Sequence, residues 1–167
     1  MTRKFVMNMK NIRVRKEVLK CSKCKSPQSF LYLSDFSYGE RLLFVNEGTE
    51  YAFINLIEDK IYTEYEEQVI NILQENSIEL KSDIVNKIII ETFGITCDEI
   101  NGHQVDFSQT QKKCHYCGST EFGRNMIEPE SLIEIEVPLI SHGKWNTLNI
   151  EQKEKSIEDE LKLKMII

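Results

Sequence analysis

Two C-x-x-C pairs constrain this chain more than any other feature of its sequence. They are Cys21-Ser-Lys-Cys24 and Cys114-His-Tyr-Cys117, and the only other cysteine among the 167 residues is Cys97. Two residues between cysteines allow one tight turn to direct both sulfurs to a single point, and two such turns supply four thiolates. The spacing therefore predicts one metal site whose ligands are Cys21, Cys24, Cys114 and Cys117.

The surroundings of the two pairs are also alike. Residues 20–26 (Lys-Cys-Ser-Lys-Cys-Lys-Ser) align with 113–119 (Lys-Cys-His-Tyr-Cys-Gly-Ser), and Phe30 and Phe122 follow them. We call these two segments the first and second knuckles. Four thiolates around Zn²⁺ carry a formal charge of about -2, so nearby cations are expected to offset it. Five lysines flank the cysteines: Lys20, Lys23, Lys25, Lys112 and Lys113.

The paired knuckles resemble the zinc-ribbon arrangement over residues 20–30 and 113–122. This resemblance implies one structural Zn²⁺ per chain, because four thiolates close the tetrahedral shell. The residue after the second cysteine often adopts left-handed backbone, which suits Gly118 better than Lys25. Iron of the rubredoxin type uses the same four ligands, and a redox role for one pair is an alternative. Disulfides are disfavoured because no signal peptide is seen and the cysteine count is odd, and Cys97 is expected to be a small buried or half-buried residue and not a nucleophile.

We expect an α+β fold. Its zinc-ribbon base, residues 12–34 and 108–167, is built from the two knuckle hairpins with a C-terminal strand and helix. A basic arm, residues 1–11, precedes the base, and an α/β subdomain, residues 35–107, is inserted between the knuckles. The insertion shows helical and strand periodicity, which indicates that it is folded and not a flexible loop.

Periodicity and end signals predict the individual elements. Thr63 and Glu66 form a capping-box pattern for one helix, and Gly94 is expected to end another that begins near Ser82. Strands are predicted at 12–20, 28–33, 41–46, 51–57 and 132–137, the last as a sheet edge because Pro138 follows it. A C-terminal helix is predicted at 149–165, with Ile150, Ile157, Leu161 and Met165 near one face.

Charge is distributed unevenly along the chain. The net charge is -6, yet residues 1–25 contain nine basic side chains and one acidic side chain. Nucleic-acid binding by phosphate neutralisation is one interpretation, and binding of a basic protein by the acidic remainder is another. Pairing of the basic strip with acidic elements of the same fold is a third. The first interpretation uses Arg3, Lys4, Lys10, Arg13, Arg15 and Lys16.

The sequence lacks the motifs that most often mark an enzyme. It contains no H-E-x-x-H, no H-x-E deaminase pattern and no glycine-rich phosphate loop. We therefore expect a non-enzymatic, zinc-stabilised module that binds a basic protein partner, such as a bacterial or phage inhibitor, adapter or immunity-type protein. The alternative is a nucleic-acid-binding zinc ribbon. Phe36, Tyr38 and Trp145 are candidate interface residues, and the other interpretation of Trp145 is a core anchor.

The sequence also favours a cytoplasmic location. No run of 18 or more apolar residues is present, and residues 1–25 lack the apolar region of a secretory signal. No membrane partner is therefore expected. The oligomeric state is left open.

Overall fold

A computed structural model describes residues 7–35, 38–45, 50–108 and 112–167 of the chain. It shows a mixed α/β protein with small antiparallel sheets. The strands are β1 (Met9–Lys20), β2 (Pro27–Leu33), β3 (Glu40–Val45), β4 (Glu50–Asn55) and β5 (Ser131–Pro138). The helices are α1 (Lys60–Glu75), α2 (Ser82–Thr92), α3 (Gly143–Asn146) and α4 (Ile150–Leu163), and a 3-10 turn spans Phe93–Thr96.

The chain divides into two compact units. One, the cysteine unit, comprises Met1–Ile54 and Thr110–Leu139, and the other, the helical unit, comprises Asn55–Gln109 and Ile140–Ile167. These boundaries differ from the expected ones: residues 35–54 group with the knuckles, and residues 140–167 group with α1 and α2. The expected N-terminal arm also ends earlier, because β1 already begins at Met9.

The cysteine unit is organised around β1, the central strand of a sheet with the order β2-β1-β5. Both neighbours are antiparallel to β1, so Val14 lies between Leu33 of β2 and Ile133 of β5. Alternation along β1 buries Ile12 and Val14 and leaves Arg13 exposed. The prediction of an edge strand at 132–137 is confirmed.

A second sheet contributes to the core of this unit. Strands β3 and β4 pair with each other, and residues 46–49 between them lie outside the described residues. Phe53 of β4 is buried with Ile12, Val14 and Val137 in one apolar cluster. The Tyr51 hydroxyl of β4 accepts a hydrogen bond from the Leu31 amide of β2 at 3.1 Å.

Aromatic rings fill the centre of the helical unit. Phe93 is fully buried and contacts the rings of Tyr65 and Phe107 at centroid distances of 5.5 and 5.3 Å. Tyr65 also contacts Trp145, and its hydroxyl donates to Thr92 Oγ1 at 2.8 Å. The helices supply the surrounding buried aliphatic side chains: Val69, Ile72, Leu73, Ile88, Ile89, Ile157 and Leu161.

The predicted start of α1 was wrong by about one turn. Asp59, not Thr63, is the N-cap, because its Oδ1 accepts a hydrogen bond from the Tyr62 amide at 3.0 Å. Thr63 lies inside the helix and is exposed. A carboxylate before the first turn satisfies a free amide and the helix dipole together, and it outcompetes a threonine placed four residues later.

The predicted end of α2 also needs correction. The helix ends at Thr92, but the chain continues through Gly94 as the 3-10 turn Phe93–Thr96. Gly94 is fixed by packing, since a Cβ at this position would collide with the carbonyl oxygen of Val105. A glycine required for close backbone approach resembles a helix stop in the sequence.

Helix α4 matches its prediction in position but only partly in its buried face. Ile157 and Leu161 are fully buried, whereas Ile150 is 68% exposed and Met165 is 90% exposed. Asn149 and Gln152 form a capping box at the N-terminus. Met165 lies beyond the last helical residue, Leu163, and therefore does not share the buried face.

Candidate metal centre

The four cysteines of the two C-x-x-C pairs lie together. Each offers a sulfur, and the four sulfurs lie within 4.8 Å of one another. Cys21 Sγ is 3.6 Å from Cys117 Sγ, and Cys24 Sγ is 3.5 Å from Cys114 Sγ. A tetrahedral zinc with bonds of about 2.3 Å separates its sulfurs by about 3.8 Å. The predicted convergence of two distant segments is therefore present, with spacings close to those of a metal shell.

The two knuckles use the same backbone turn. In each, the residue after the second cysteine donates its amide to the carbonyl of the first cysteine. The amide of the first cysteine donates in turn to the carbonyl of the knuckle's serine. These bonds are Lys25 to Cys21 at 3.0 Å, Cys21 to Ser26 at 2.9 Å, Gly118 to Cys114 at 2.7 Å and Cys114 to Ser119 at 2.8 Å. The internal repeat seen in the sequence is thus a repeat of structure.

Left-handed backbone closes both turns. Lys25 has φ +64° and Gly118 has φ +71°, which confirms the conformation expected after the second cysteine. Glycine adopts this region at little cost, whereas a residue with a Cβ pays about 1 kcal/mol or more. The turn of the first knuckle therefore forms although lysine disfavours the left-handed backbone that Lys25 adopts.

The second knuckle is joined to the first by short strand-like pairing. The Ser22 amide donates to Glu121 O, and the Gly123 amide donates to Lys20 O, each at 2.9 Å. The rings of Phe30 and Phe122 pack edge to face at 5.1 Å. The two phenylalanines that follow the knuckles in the sequence therefore hold the knuckles against each other.

The thiols do not ionise equally. Hydrogen bonds from the side chain and backbone of Ser26 lower the pKa of Cys24 to about 6. The Ser119 backbone lowers the pKa of Cys117, but desolvation and the three neighbouring sulfurs outweigh it and raise that pKa to about 11. With this raised pKa, Cys117 keeps its proton at neutral pH when no cation lies among the sulfurs. A divalent metal offsets the effect of the neighbouring sulfurs, so the donor set fits such an ion.

The five lysines that flank the cysteines in the sequence differ in their contacts. Lys20, Lys23, Lys25 and Lys113 are exposed, and none forms an ion pair with the described acidic residues. Lys112 differs from them: this residue is half-buried, and its Nζ lies 3.5 Å from Glu17 Oε2.

One polar residue next to the sulfurs was missed in the sequence. Gln28 of β2 is 3% exposed, and its amide nitrogen donates to Cys114 Sγ. Its oxygen accepts from the His115 amide at 3.3 Å. The sequence contained one indication of this residue: Gln28 lies two positions before Phe30 in a predicted strand, so the two side chains are expected on the same face.

The helical unit contains a second buried polar group that was missed. His142 is 8% exposed, and its Nε2 lies 2.9 Å from Asp59 Oδ2. Its Nδ1 lies 2.9 Å from Thr96 O. Burial alone would lower the pKa of His142, but Asp59, Cys97 and Thr96 outweigh it and raise the pKa to about 10. The histidine is therefore a charged link between the α1 N-cap and the 3-10 turn.

The remaining cysteine, Cys97, is not a member of the cluster of four cysteines. It is half-buried in the helical unit, with its sulfur 3.7 Å from Thr96 Oγ1 and 3.9 Å from Phe93 O. This matches the expectation of a small packed residue.

Two of the four predicted nucleic-acid residues that the structure describes, Lys10 and Arg15, contact other side chains of the fold. Lys10 Nζ lies 4.5 Å from the Phe53 ring centroid, and Arg13 is opposite Glu134 in the sheet. Arg15 Nη1 is 3.7 Å from Glu130 Oε2. Lys16 of β1 is half-buried, and Arg3 and Lys4 lie outside the described residues. Neutralisation of this strip by acidic residues of the same fold was one of the three interpretations of its charge.

The candidate interface residues have three different outcomes. Phe36 lies outside the described residues, and Tyr38 is 76% exposed. Trp145 is 3% exposed and contacts Tyr65, so its side chain is a core anchor and the interface assignment needs correction. Packing under α4, with Lys153 Nζ 5.7 Å from its ring centroid, explains the burial.

In the portion of the chain that the structure describes, no helix has the length and apolar character needed to cross a membrane. Comparison of the chain with known protein families, curated proteins and solved structures finds no match.

Proposed function

We propose that this protein is a zinc-stabilised interaction module with the two knuckles as its metal-bound base, in a zinc-ribbon-like arrangement. The observation that carries the proposal is the convergence of four sulfurs from segments 90 or more residues apart. Zn²⁺ is the usual occupant of structural Cys₄ sites, and its four thiolate bonds leave no open position for a substrate. The metal would act by fixing the fold and not by performing chemistry.

The metal assignment has a direct test. Protein purified without added metal should contain one zinc per chain by elemental analysis and should be colourless. Iron in the same site would give visible charge-transfer absorption, and that result would replace zinc with a rubredoxin-type centre. Cys97→Ser is the matched control, because it removes a thiol outside the cluster and should leave the metal content unchanged.

A basic protein partner is the ligand class that the charge distribution favours. The helical unit, residues 55–109 and 140–167, contains seventeen acidic and eight basic side chains. Electrostatic complementarity increases association rates and suppresses wrong partners. We place the contact on a groove of about 650 Å³ in this unit, with Leu148 and Leu163 among its apolar walls and Asp159 and Glu160 at its rim. Lys144 is the one basic side chain of the lining.

An apolar groove with an acidic rim suits an amphipathic helix that carries lysine or arginine beside its apolar face. A designed lysine-leucine helical peptide is a suitable probe. We expect binding that weakens as salt is added, and a loss of about tenfold or more in affinity for Asp159→Lys combined with Glu160→Lys. Glu67→Lys is the control, because it makes the same kind of charge change on α1 outside the groove. Absence of binding at low salt, or equal losses in both proteins, would contradict this site.

Nucleic-acid binding remains a second candidate, and one observation favours it. Tyr116 of the second knuckle is 71% exposed, and the knuckles also carry the exposed lysines Lys23, Lys25 and Lys113. An exposed aromatic ring among cations can stack on a base while the lysines contact phosphates. Salt-dependent binding of oligonucleotides, lost in Lys23→Glu with Lys113→Glu and retained in Arg13→Ala, would support it. No binding at low salt would remove this candidate.

A further inference from the structure

Gln28 is a polar side chain at a buried position of β2. It is one of four buried polar or charged residues in the described ranges, and it alternates along β2 with buried Phe30. Burying an amide costs free energy unless both of its ends are hydrogen-bonded. An apolar side chain would fill this position at lower cost if packing were its only role.

Both ends of the Gln28 amide are used by the second knuckle. Its nitrogen donates to Cys114 Sγ, and its oxygen accepts the His115 amide at 3.3 Å. This pair of contacts fixes the orientation of the amide, since only the oxygen can accept a backbone N–H. Gln28 belongs to the strand that leaves the first knuckle, so it links the two knuckles through one side chain.

The internal repeat contains an informative difference at this position. Gln28 is four residues beyond Cys24, and the residue four beyond Cys117 is Glu121. Glu121 is exposed, and an ionised carboxylate has no hydrogen to donate to a thiolate. The side-chain donor is therefore built into one half of the repeat only, and its target is Cys114.

We propose that Gln28 is a positioning residue of the metal centre, whose amide holds the Cys114 thiolate and the second knuckle in metal-binding geometry. The inference deepens the proposed zinc site and rests on it. An N–H donor to a metal-bound thiolate stabilises the thiolate against protonation and restricts its movement. Both effects slow dissociation of the metal, and partners of this kind typically contribute 10- to 100-fold in affinity.

The test uses the full-length protein loaded with Co²⁺, which reports thiolate ligation through its absorption spectrum. Gln28→Glu keeps the shape of the side chain and replaces the donor with a carboxylate, and Gln28→Met keeps the length without a polar group. Glu121→Gln is the matched control at the equivalent position of the other knuckle. The measurements are the rate of Co²⁺ transfer to a chelator and the wavelength of the thiolate-to-cobalt band.

We expect both Gln28 variants to bind one Co²⁺ and to release it about 10- to 100-fold faster than the wild type. Their thiolate-to-cobalt band should move to longer wavelength, because a sulfur without its donor is richer in electrons. A merely structural role would change stability without moving this band. Glu121→Gln should match the wild type in both measurements.

Release rates within twofold of the wild type, together with an unmoved band, would overturn the role of Gln28 while leaving the metal site intact. Equal changes in Glu121→Gln would overturn it as well, because they would show that position 28 is not special. A wild-type protein that binds no Co²⁺ and no Zn²⁺ would instead overturn the proposed site, and this inference with it.

Discussion

At the scale of single residues, the two knuckles show how one backbone requirement is met by different side chains. Lys25 and Gly118 occupy the same position and have nearly the same left-handed φ. Glycine meets this requirement at low cost, and lysine meets it with strain. The lysine adds a positive charge near the thiolates, so the first knuckle combines a less favourable backbone with a more favourable charge.

Substitutions at these two positions separate backbone strain from charge. Lys25→Gly should unfold at higher urea than Lys25→Ala, with a difference of about 1 kcal/mol, because both lose the charge and only glycine relieves the strain. Gly118→Ala should lose about 1 kcal/mol, since no atom lies within 4 Å of the new Cβ and only φ is affected. Gly123→Ala is the control, as its Cβ would make an ordinary 3.7 Å contact with Lys20 O. Equal midpoints for Lys25→Gly and Lys25→Ala would contradict this account.

His142 gives the helical unit a defined response to pH. Its folded pKa of about 10 lies above its ordinary value of 6.5. Below pH 6.5 the histidine is protonated in both states, so its contribution to stability is complete. Between pH 6.5 and 10 the folded state retains a proton that the unfolded state has lost, so this contribution falls as pH rises.

The expected slope for one such group is at most about 1.4 kcal/mol per pH unit. Urea unfolding of the wild type and of His142→Gln between pH 6.5 and 10 should give curves that converge as the pH rises. His103→Gln, which alters an exposed histidine of the same unit, should keep the wild-type dependence. A constant difference between wild type and His142→Gln across this range would show that the ion pair with Asp59 is not the cause.

At the scale of elements, helix ends were the features least determined by local sequence. The strands of the sheet and the positions of α1, α2 and α4 followed from periodicity, because burial of one face imposes a period of two or 3.6 residues. The start of α1 could not be predicted in this way. Asp59 is held as the cap by the Tyr62 amide, three residues later, and by His142, far along the chain. Long-range partners of this kind leave no mark in a local pattern.

Cap substitutions test the corrected start of α1. Thr63→Ala should change the free energy of unfolding by less than about 0.5 kcal/mol, because this threonine is exposed and caps nothing. Asn149→Ala should cost about 1 kcal/mol by removing the α4 cap. Asp59→Ala should cost more than Asn149→Ala, since it removes both a cap and the partner of His142. A larger loss for Thr63→Ala than for Asp59→Ala would restore the original prediction.

At the scale of the whole molecule, cysteine spacing predicted the site and could not predict the boundaries of the units. The four clustered cysteines could be predicted because each C-x-x-C turn directs two sulfurs to one point, and two such turns together supply four. The grouping of residues 35–54 with the knuckles was not readable, because Phe53 joins Ile12 and Val137 only in the folded core. The role of Gln28 could not be predicted for the same reason, because its amide nitrogen donates to Cys114 Sγ, 86 residues further along the chain.

Because the chain forms two compact units, we expect metal removal to reduce hydrogen-exchange protection more in the cysteine unit than in the helical unit. Chelation should expose the amides of β1 and β5 to hydrogen exchange, because it would remove the proposed ion that joins the two knuckles. The amides of α1 and α4 should keep more of their protection, since Tyr65, Phe93 and Trp145 form a separate core. Exchange measured by mass spectrometry before and after chelation checks this. Simultaneous and equal loss of protection in strands and helices would show a single cooperative unit.

The metal content of the full-length protein tests the central claim most directly. We expect one zinc per chain in the wild type and in Cys97→Ser, and none retained in Cys21→Ser or Cys114→Ser after dialysis against a weak chelator. The two ligand variants should also unfold at much lower urea. Wild-type protein that contains no metal, with all five thiols reacting freely under native conditions, would contradict the account.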